Sequence, residues 1–515
     1  MLEPMRSVIL AYDLGTSGCK ASFYDGDGRC LRSTFTSYDT EYPSEGWHEQ
    51  RPADWWRAVV ESTRDLFTDG SVARDEIGCF SISGHSLGVV PIDARGGLLR
   101  EFTPIWSDTR AKAQARAFFE KVDRRTWYMT TGNGFPAECY SVFKIMWYQD
   151  TDPEMFRRVR WILGTKDFIN LRLTGRAATD HSYASGSGVY DLVAGAYSRE
   201  YIAASGLPDS IFPEILPSTE IVGTLTPEAS STLGLPAKVK VVAGGVDNSC
   251  MALGARNTRE GRVYVSLGSS AWIAVSSSKP LLDPDSKPFV FAHVVPGLFT
   301  SAVSTFAAGT CLRWVRDSFC RDLVAEAEEN DLDAYDLMTA EATASGTGAN
   351  GLLFNPNMAG GTSMSPSVNI RGAFLNMRLG HTRADVIRAT LEGVALELRL
   401  ALNGLRRLQT VASEILIVGG GGRGPLWRQI LADVLGVRIV KTTIDQQAAA
   451  LGAAACAAIG TGLWKSFDYV EEVHRVIDVQ EPSPEHTAVY DRLLPLFSRA
   501  EKSLSELGDI VAERK

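Results

Sequence analysis

The segment "AYDLGTSGCKASFYDGDG", residues 11–28, places an acidic residue at the end of an apolar strand and follows it with a turn of small residues and a second strand. A two-residue hairpin loop does not need the Gly-Thr-Ser-Gly run that comes after Asp13. Gly15 permits a tight turn, and the backbone N–H groups of such a turn, with the hydroxyls of Thr16 and Ser17, form a concavity suited to phosphate oxygens. Asp13 can reach a metal ion or its waters. For this turn alone, the alternative is a simple hairpin with an exposed aspartate.

A second strand, turn and strand occurs at residues 261–277, "GRVYVSLGSSAWIAVSS". Its Leu-Gly-Ser-Ser-Ala run matches Leu-Gly-Thr-Ser-Gly of residues 14–18, and it places Gly268 and Ser269 where the first turn has Gly15 and Thr16. A match this short also arises by chance, so two related lobes are a working hypothesis. The turn-rich residues 254–261 are the expected boundary.

The chain has 515 residues, 45% of them hydrophobic, and a net charge of -9 with acidic and basic residues mixed along its length. At about 150 residues per domain, two large domains are our first expectation. The charge pattern argues against a nucleic-acid surface, and no basic run is suited to anionic lipid, so a small-molecule partner is favoured. The eight cysteines have no CxxC spacing, and no apolar run approaches the roughly 20 residues that span a bilayer. We therefore expect a cytoplasmic protein.

Apolar periodicity predicts a mixed α/β fold. Strand patterns cover residues 7–13, 19–24, 77–83 and 88–92, and helical patterns cover 54–67, 111–121, 384–408 and 446–459.

Asp247 follows a strand and a glycine pair in "VVAGGVDNSC", next to the expected start of a helix. A carboxylate there can accept a proton from a substrate hydroxyl. Because aspartate and asparagine are also preferred helix caps, a capping role is an equal alternative on the local sequence.

The run "GGGGRG", residues 419–424, satisfies GxGxxG but lacks the first half of a Rossmann unit, so it is a weak dinucleotide signal. Its bare backbone would let a flat ring or a phosphate approach closely, with loop flexibility as the alternative. No Gly-Lys pair occurs in the chain, so ATP binding through a P-loop is excluded.

Polar and aromatic residues that follow strands in the first half are candidates for a sugar pocket, where fixed hydrogen-bonding groups and an aromatic face are needed. They are His85 and Ser86 in "SGHSLG" and Trp106, Asp108 and Arg110 in "PIWSDTR". Each of them taken alone is more often structural, so only their occurrence together is informative.

The ordered set of motifs resembles the FGGY carbohydrate kinases, and most of all their xylulokinase branch. The motifs are DLGTSG, GHSLG, IWSDTR, LTGRAATDHSYASG, GGVDN, SLGSS, LEGVALEL and GGGGRGPLWRQILAD, which together cover residues 7–460. The resemblance implies an α/β fold of two ribonuclease-H-like lobes of the actin and hexokinase type, with ATP and sugar in a cleft between them. The implied domains are an N-terminal lobe at 6–255, a C-terminal lobe at 256–480 and a helical extension at 481–515.

The resemblance also implies a role for individual residues. Asp247 would be the general base, and Asp13 would act on Mg²⁺ and the phosphates. The remaining roles are ATP phosphate binding by Thr16, Ser17, Gly268 and Ser269, adenosine binding by Gly309, Gly420, Gly421 and Gly424, and substrate binding by His85, Ser86, Trp106, Asp108 and Asn248. The implied reaction is ATP-dependent phosphorylation of a sugar hydroxyl, and the candidate assembly is a homodimer.

Two departures from the xylulokinase pattern bear on the substrate. Bacterial xylulokinases read GQMHG where this chain has Gly84-His85-Ser86-Leu87-Gly88, and the histidine stays on the same face only if the strand continues through it. Residues 357–374, "NMAGGTSMSPSVNIRGAF", replace a Gly-Glu-Arg segment of many relatives. A ketopentose is the expected substrate, and another ketose or a polyol is the alternative. An ATP-gated, actin-like binding protein and a catalytically silent sugar sensor are the non-enzyme alternatives.

Overall fold

A computed structural model describes residues 7–362 and 365–513 of the chain. These residues divide into two compact units. Unit 1 comprises the described residues up to Glu260, Ser276–Ser301 and Gln447–Val473; unit 2 comprises Gly261–Val275, Ala302–Gln446 and the described residues from His474 onward. Two segments from the second half of the chain therefore belong to unit 1, whereas the domain limits expected from the sequence are continuous and stay a prediction.

The described residues form both strands and helices, as the sequence patterns predict. The strands are β1 Val8–Leu14, β2 Gly18–Tyr24, β3 Cys30–Ser37, β4 Glu49–Gln50, β5 Ile77–Gly84, β6 Val90–Ile92, β7 Thr103–Pro104, β8 Trp161–Leu163, β9 Ala178–Asp180, β10 Tyr190–Asp191, β11 Ala196–Tyr197, β12 Glu214–Leu216, β13 Ile221–Thr224, β14 Lys240–Val242, β15 Gly245–Val246, β16 Val263–Leu267, β17 Ala271–Ser277, β18 Phe289–Ala292, β19 Phe299–Thr305, β20 Leu353–Asn355, β21 Ala373–Leu375, β22 Glu414–Val418, β23 Arg438–Thr442 and β24 Val476–Gln480.

The α-helices are α1 Pro52–Leu66, α2 Lys112–Phe119, α3 Arg124–Thr131, α4 Ser141–Thr151, α5 Pro153–Phe156, α6 Thr165–Thr174, α7 His181–Ala184, α8 Arg199–Ser205, α9 Pro227–Leu233, α10 Asp247–Gly254, α11 Gly309–Phe319, α12 Arg321–Asn330, α13 Ala334–Ala342, α14 Arg383–Leu408, α15 Pro425–Leu435, α16 Ala448–Gly460, α17 Val470–Val473 and α18 Pro484–Ala512. The strands and helices expected from the sequence are present, with ends that differ by at most two residues. Within the described residues, no helix combines the length and apolar character that a membrane span requires.

The sheet of unit 1 has β1 near its centre. Its strands lie in the order β13-β14-β5-β1-β2-β3. β1 pairs antiparallel with β2 and parallel with β5, and this register sets Asp13 beside Ser83. β1 reads as a nearly continuous apolar run because it is covered on both faces, as central strands of mixed α/β sheets are.

The sheet that contains β16 repeats this strand plan. Its order is β18-β19-β17-β16-β22-β23-β24, in which β16 pairs antiparallel with β17 and parallel with β22. Outward from the hairpin, β14 and β23 are the next parallel strands, and β13 and β24 close the two series antiparallel to them. The short sequence echo at residues 14–18 and 267–271 therefore marks equivalent turns in two similar sheets.

Helices α10 and α16 of unit 1 cross at two glycines. A Cβ on Gly254 would lie 1.8 Å from the carbonyl oxygen of Ala448, and a Cβ on Gly452 would lie 1.9 Å from that of Cys250. Alanines that are almost fully buried make up most of α16. Because neither helix has bulky side chains at the crossing, their backbones come into direct contact.

We expect Gly452→Ala to lower the free energy of unfolding by on the order of 3 kcal/mol or more, since the new methyl group meets backbone rather than a flexible side chain. Urea denaturation measures this effect. Gly404→Ala in α14 is the matched control: its Cβ would have only the tip of Arg407 nearby, at 3.8 Å, so helix propensity should leave stability unchanged or raise it by up to about 1 kcal/mol. Equal effects of the two substitutions would contradict the close crossing.

Two buried glutamates join α14 and α18 in unit 2. Glu397 and Glu501 are 4% and 6% exposed and hydrogen-bond to each other. Burial raises the pKa of Glu501 to about 7 and the pKa of Glu397 well above its usual range, where the neighbouring carboxyl adds to the effect. The Asn357 side chain is the other group that hydrogen-bonds Glu501. The pair therefore keeps a proton at neutral pH, which one carboxyl donates to the other.

Because the folded-state pKa values are raised, the pair should destabilise the protein progressively as the pH rises from about 4.5 towards 7 and beyond. Glu501→Gln replaces one ionisable carboxyl with an amide that donates at every pH. We expect the variant to exceed the parent in stability at pH 8 by about 1 to 3 kcal/mol and to match it more closely at pH 5. Urea denaturation across this range is the measurement, with the exposed Glu506→Gln on the same helix as control. Parallel pH profiles for Glu501→Gln and the parent would contradict the shared proton.

Candidate active site

The turn between β1 and β2 is closed by a hydrogen bond from the Gly15 N–H to the Gly18 carbonyl oxygen, at 3.0 Å. Two side chains hold Thr16: the Trp106 indole N–H donates to its hydroxyl at 3.0 Å, and the Gln50 amide donates to its carbonyl at 2.7 Å. The Thr16 hydroxyl keeps its own proton to donate, and the Ser17 side chain is exposed. The turn is therefore braced from behind and presents hydroxyls to solvent.

Asp13 is half-buried at the carboxyl end of β1. The Ser83 hydroxyl, from the paired strand β5, donates to its Oδ1 at 2.9 Å. Burial raises the pKa of Asp13, and the Ser83 hydrogen bond partly opposes that rise. The described residues contain no cluster of three or more acidic, histidine or cysteine ligands. A single carboxylate still fits Mg²⁺, which commonly takes one or two protein carboxylates and fills its shell with waters and phosphates.

Asp247 is the first residue of α10, and the capping position is Val246. The Asp247 Oδ1 accepts a hydrogen bond at 2.8 Å from the N–H of Asn248, the next residue. Asp247 therefore lies one position inside the helix rather than at the cap, and its carboxylate satisfies one N–H of the first turn. Burial, followed by the charge of Asp13, raises the pKa of Asp247 to about 7. A carboxyl with such a pKa can take up a proton near neutral pH.

His85 and Ser86 follow β5, which ends at Gly84. The chain then turns, with Leu87 at a φ of 59°, so strand alternation does not extend through this motif. The His85 ring is 1% exposed, packs edge-on against Trp55 with ring centroids 5.4 Å apart, and has a pKa lowered to about 4 by burial. It is therefore a neutral core side chain here, and its contact with a sugar stays a prediction.

Asp108 is fully buried and its oxygens are occupied. Arg110 donates to both of them, at 2.7 to 3.0 Å, and the His48 N–H donates to Oδ2 at 2.7 Å. The Arg110 guanidinium also pairs with Glu49 and lies over the Trp47 ring. In this structure Asp108 has no free oxygen for a sugar hydroxyl, and it orders the loop that carries Trp106.

In unit 2, the turn after β16 is joined to the start of α11. The carbonyl oxygen of Ser269 accepts hydrogen bonds from the N–H groups of Ala308 and Thr310, at 2.8 and 3.0 Å, and the carbonyl of Gly268 accepts from Gly309 at 3.0 Å. A Cβ on Gly309 would lie 2.5 Å from that Gly268 oxygen. Glycine is therefore required where the helix start meets the turn.

The glycine run lies at the carboxyl end of β22, the strand parallel to β16. Gly419 has a φ of 92°, and a Cβ there would lie 2.7 Å from the carbonyl oxygen of Leu267. Gly420–Arg423 form a 3-10 turn that leads into α15. A Cβ on Gly424 would meet nothing within 4 Å, whereas one on Gly420 would lie 3.2 Å from the Gln446 side-chain nitrogen and one on Gly421 would lie 2.6 Å from Leu267 Cγ. The structure thus gathers Gly268, Ser269, Gly309 and the glycine run within unit 2.

Sequence reasoning missed three residues that belong to these sites. Ser83 and Gln50 hold Asp13 and Thr16, and Arg313 extends to the Ser269 hydroxyl at 3.4 Å. Arg313 stands four residues after Gly309, one helical turn along α11, and this spacing was a usable signal. Ser83 and Gln50 gave none, because their contacts join residues that are 70 and 34 positions apart in the chain.

Comparisons with known proteins cover nearly the whole chain. Residues 8–254 match the model for the FGGY family of carbohydrate kinases, N-terminal domain, and residues 263–461 match the model for the C-terminal domain. Xylulose kinase of Lactococcus lactis subsp. lactis (strain IL1403) is 29% identical over 508 residues, which are 98% of each chain. Gluconokinase of Bacillus licheniformis is 27% identical over 505 residues, covering 97% of this chain and 96% of that protein.

A solved structure shares this fold over its full length. The crystal structure of xylulose kinase from Rhodospirillum rubrum superposes with a TM-score of 0.87 at 29% identity, covering 98% of this chain and all of that one. The α/β architecture with two sheet-containing units, expected from the sequence, is thereby confirmed.

The geometry predicts that Asp108 stabilises the fold rather than binding a sugar. Asp108→Asn should cost about 3 kcal/mol of unfolding free energy, because Arg110 loses one of its two buried carboxylate partners. The Michaelis constant for an acceptor sugar should stay within about two-fold of the parent's. Asp209→Asn, an exposed aspartate, is the control and should change stability by no more than about 0.5 kcal/mol. A much higher Michaelis constant with unchanged stability would return Asp108 to the substrate site.

Proposed function

Because the chain belongs to the FGGY family of carbohydrate kinases, we propose that it transfers the γ-phosphoryl group of ATP to a hydroxyl of a ketopentose, with Asp247 as the general base. Its activity is that of a sugar kinase. The substrate, the cofactors and the role of each residue are the proposal.

One observation carries the assignment of the base. The carboxyl of Asp247 is half-buried at the start of α10, and its pKa is raised to about 7 by burial and by Asp13. An ordinary aspartate would be too weak a base to take a hydroxyl proton efficiently, and burial strengthens it. Of the three aspartates that the sequence singled out, Asp108 is held by Arg110 and Asp13 is assigned to Mg²⁺, which leaves Asp247 for this role.

The proposed reaction is a direct displacement. Asp247 takes the proton of the acceptor hydroxyl, and the oxygen of that hydroxyl attacks the γ-phosphorus of ATP. The bond from the γ-phosphorus to the bridging oxygen breaks, and ADP leaves with the electron pair of that bond. Phosphoryl transfer asks the protein mainly for alignment and for stabilisation of charge on the phosphate oxygens. Backbone N–H groups and hydroxyls in small-residue turns supply both.

On the acceptor side, unit 1 offers the Trp106 ring, Ser86 and the Asn248 amide. Trp106 is fixed through its hydrogen bond to Thr16, so an aromatic face and a phosphate-type turn are mechanically linked. An aromatic face covers the C–H side of a sugar, while amide and hydroxyl groups recognise its hydroxyls. His85, the residue before Ser86, packs against Trp55 in the core.

On the nucleotide side, the family resemblance assigns the phosphates to Thr16, Ser17, Gly268 and Ser269. The adenosine is assigned to the bare backbone at Gly309, Gly420, Gly421 and Gly424. The open surroundings of Gly424 support this assignment, since a flat ring needs such close backbone approach. Arg313 adds a cation beside Ser269.

Mg²⁺ would be held through Asp13, with its waters and the ATP phosphates completing the shell. When bound, it supplies positive charge that neutralises the phosphate oxygens. The repulsion between Asp13 and Asp247, visible in the raised pKa of Asp247, favours a cation near these carboxylates.

The relatives' names nominate two acceptors, xylulose and gluconate. Both are acyclic or ring-opening molecules with several adjacent hydroxyls. A ketopentose remains the first candidate because several xylulose kinases match this chain over nearly its full length. Gluconate, another ketose or a polyol is the second.

We expect Asp247→Asn to bind ATP with the parent's affinity and to lose about 10²- to 10⁴-fold in kcat, because the amide cannot accept the hydroxyl proton. Calorimetry measures nucleotide binding, and ADP release measures turnover. Transfer within a few-fold of the parent would remove Asp247 from the role of base.

The substrate is identified by magnesium-dependent ADP release with D-xylulose, other ketopentoses, hexuloses, gluconate and polyols, with Asp247→Asn beside the parent in each assay. We expect one ketopentose to exceed its neighbours in kcat/KM. ATP turnover that no sugar changes would instead support the nucleotide-switched binding protein.

A further inference from the structure

A fully buried lysine lies close to the strand that precedes Asp247. Lys166, near the start of α6, has 0% exposure; its Nζ lies 2.6 Å from Asp167 Oδ1 and 2.9 Å from Asp180 Oδ1, and it donates to the carbonyl oxygen of Ala243 at 3.3 Å. Removing three charged groups from water is costly, and apolar residues of similar volume often stabilise a fold as well or better. A role beyond stability is therefore worth seeking for this cluster.

The Asp180 carboxylate accepts hydrogen bonds from two serines. Its Oδ2 accepts hydrogen bonds from the Ser182 hydroxyl at 2.5 Å, the Ser182 N–H at 2.9 Å and the Ser218 hydroxyl at 2.7 Å. A serine hydroxyl has a single proton, and the Ser182 hydroxyl donates it in the hydrogen bond to the Asp180 carboxylate. The remaining lone pairs of Ser182 Oγ are thereby turned away from Asp180 and can only accept.

The group that donates to Ser182 Oγ is the backbone N–H of Val246, at 2.9 Å. Val246 is the residue immediately before Asp247 and is the capping position of α10. The Val246 N–H can only donate, and the Asp180 contact leaves the Ser182 Oγ oriented to accept from it, which fixes the backbone at the start of α10. Hydrogen bonds that involve an ionised partner are the stronger and shorter ones.

The rest of the segment before Asp247 is held by the same elements. Asn170 of α6 also donates to the Ala243 carbonyl, at 2.9 Å, and the Gly244 N–H donates to the Ser218 carbonyl at 3.0 Å. Gly244 has a φ of 70°, and a Cβ there would lie 2.1 Å from the Ile82 carbonyl oxygen. The Ala243 carbonyl and the Gly244 and Val246 N–H groups, which lead to Asp247, thus each have a defined partner.

We propose that Lys166, Asp180 and Ser182 form a positioning cluster that sets the location of the Asp247 carboxyl through the Val246 N–H. The inference rests on the proposed role of Asp247 as base. Ser182 is a positioning residue, since it contacts the backbone next to Asp247 and not the reacting atoms. Proton transfer is sensitive to such placement, because a shift of about 1 Å in a reacting group can cost roughly 10²-fold in rate.

Ser218 provides a matched control. Its hydroxyl donates to the same Asp180 oxygen as that of Ser182 and is equally buried, but it has no bond to Val246. The bond from Gly244 goes to the Ser218 backbone, which survives a side-chain change. Ser182→Ala and Ser218→Ala therefore remove one hydroxyl each from the same carboxylate, and only the first releases Val246.

The test compares steady-state kinetics of both variants with D-xylulose, or with the acceptor that the substrate panel identifies. We expect Ser182→Ala to lower kcat by about 10- to 100-fold, with the Michaelis constants for sugar and ATP within about two-fold of the parent's. Ser218→Ala should keep kcat within about two-fold even if both variants lose similar thermal stability. Ser182→Cys, close in size and a weaker hydrogen-bonding group, should give an intermediate kcat and covers the case in which the alanine variant fails to fold.

Equal losses of kcat in Ser182→Ala and Ser218→Ala would overturn the inference and leave Asp247 as the base, because stability alone would then explain both. Parental kcat in Ser182→Ala or Ser182→Cys would overturn it as well. Parental transfer by Asp247→Asn would overturn the proposed function and this inference together, so the two failures are distinguishable.

Discussion

The direct contact of α10 with α16 is the constraint that fixes Asp247 relative to the sheet of unit 1. The two helices lie about 200 residues apart in the chain and touch through the backbones at Gly254 and Gly452. α16 also packs against β1 and β5, the strands that carry Asp13 and Ser83. The buried, alanine-rich helix α16 therefore contacts both α10, which carries Asp247, and the sheet that carries Asp13. A larger side chain at either glycine would have to separate elements whose spacing sets the site.

Two aspartates of unit 1, Asp108 and Asp247, have different surroundings. Asp108 forms an ion pair with Arg110 and orders a loop. Asp247 forms no ion pair with the described residues, and its pKa is raised to about 7. The Lys166 cluster neutralises its own carboxylates while its hydrogen bonds reach the backbone before Asp247. Asp108 thus has an ion-pair partner, whereas burial and the charge of Asp13 raise the pKa of Asp247.

The repeated strand plan explains why the sequence carries two similar turns that do different work. β1–β2 and β16–β17 are equivalent hairpins, each beside a parallel strand. The first has Asp13 before its Leu-Gly pair, and the second has Ser266 at that position. Both turns can cradle an anion through backbone N–H groups, but only the first adds a carboxylate for a cation. The turn of unit 2 is instead joined to the start of α11 and adjoins the glycine run.

The sequence by itself determined the α/β class, the main strands and helices, the family, and the glycine and hydroxyl turns, because periodicity and small-residue runs are local properties. It left the capping role of Asp247 open and placed Asp108 and His85 at the sugar, since a residue type does not reveal which partner will claim it. Only the tertiary structure decided that Arg110 occupies Asp108, that His85 is a core residue, that Ser83 and Gln50 hold the first turn, and that Ser182 holds the residue before Asp247. Those outcomes depend on strand register, helix crossing and burial, which join residues far apart in the chain.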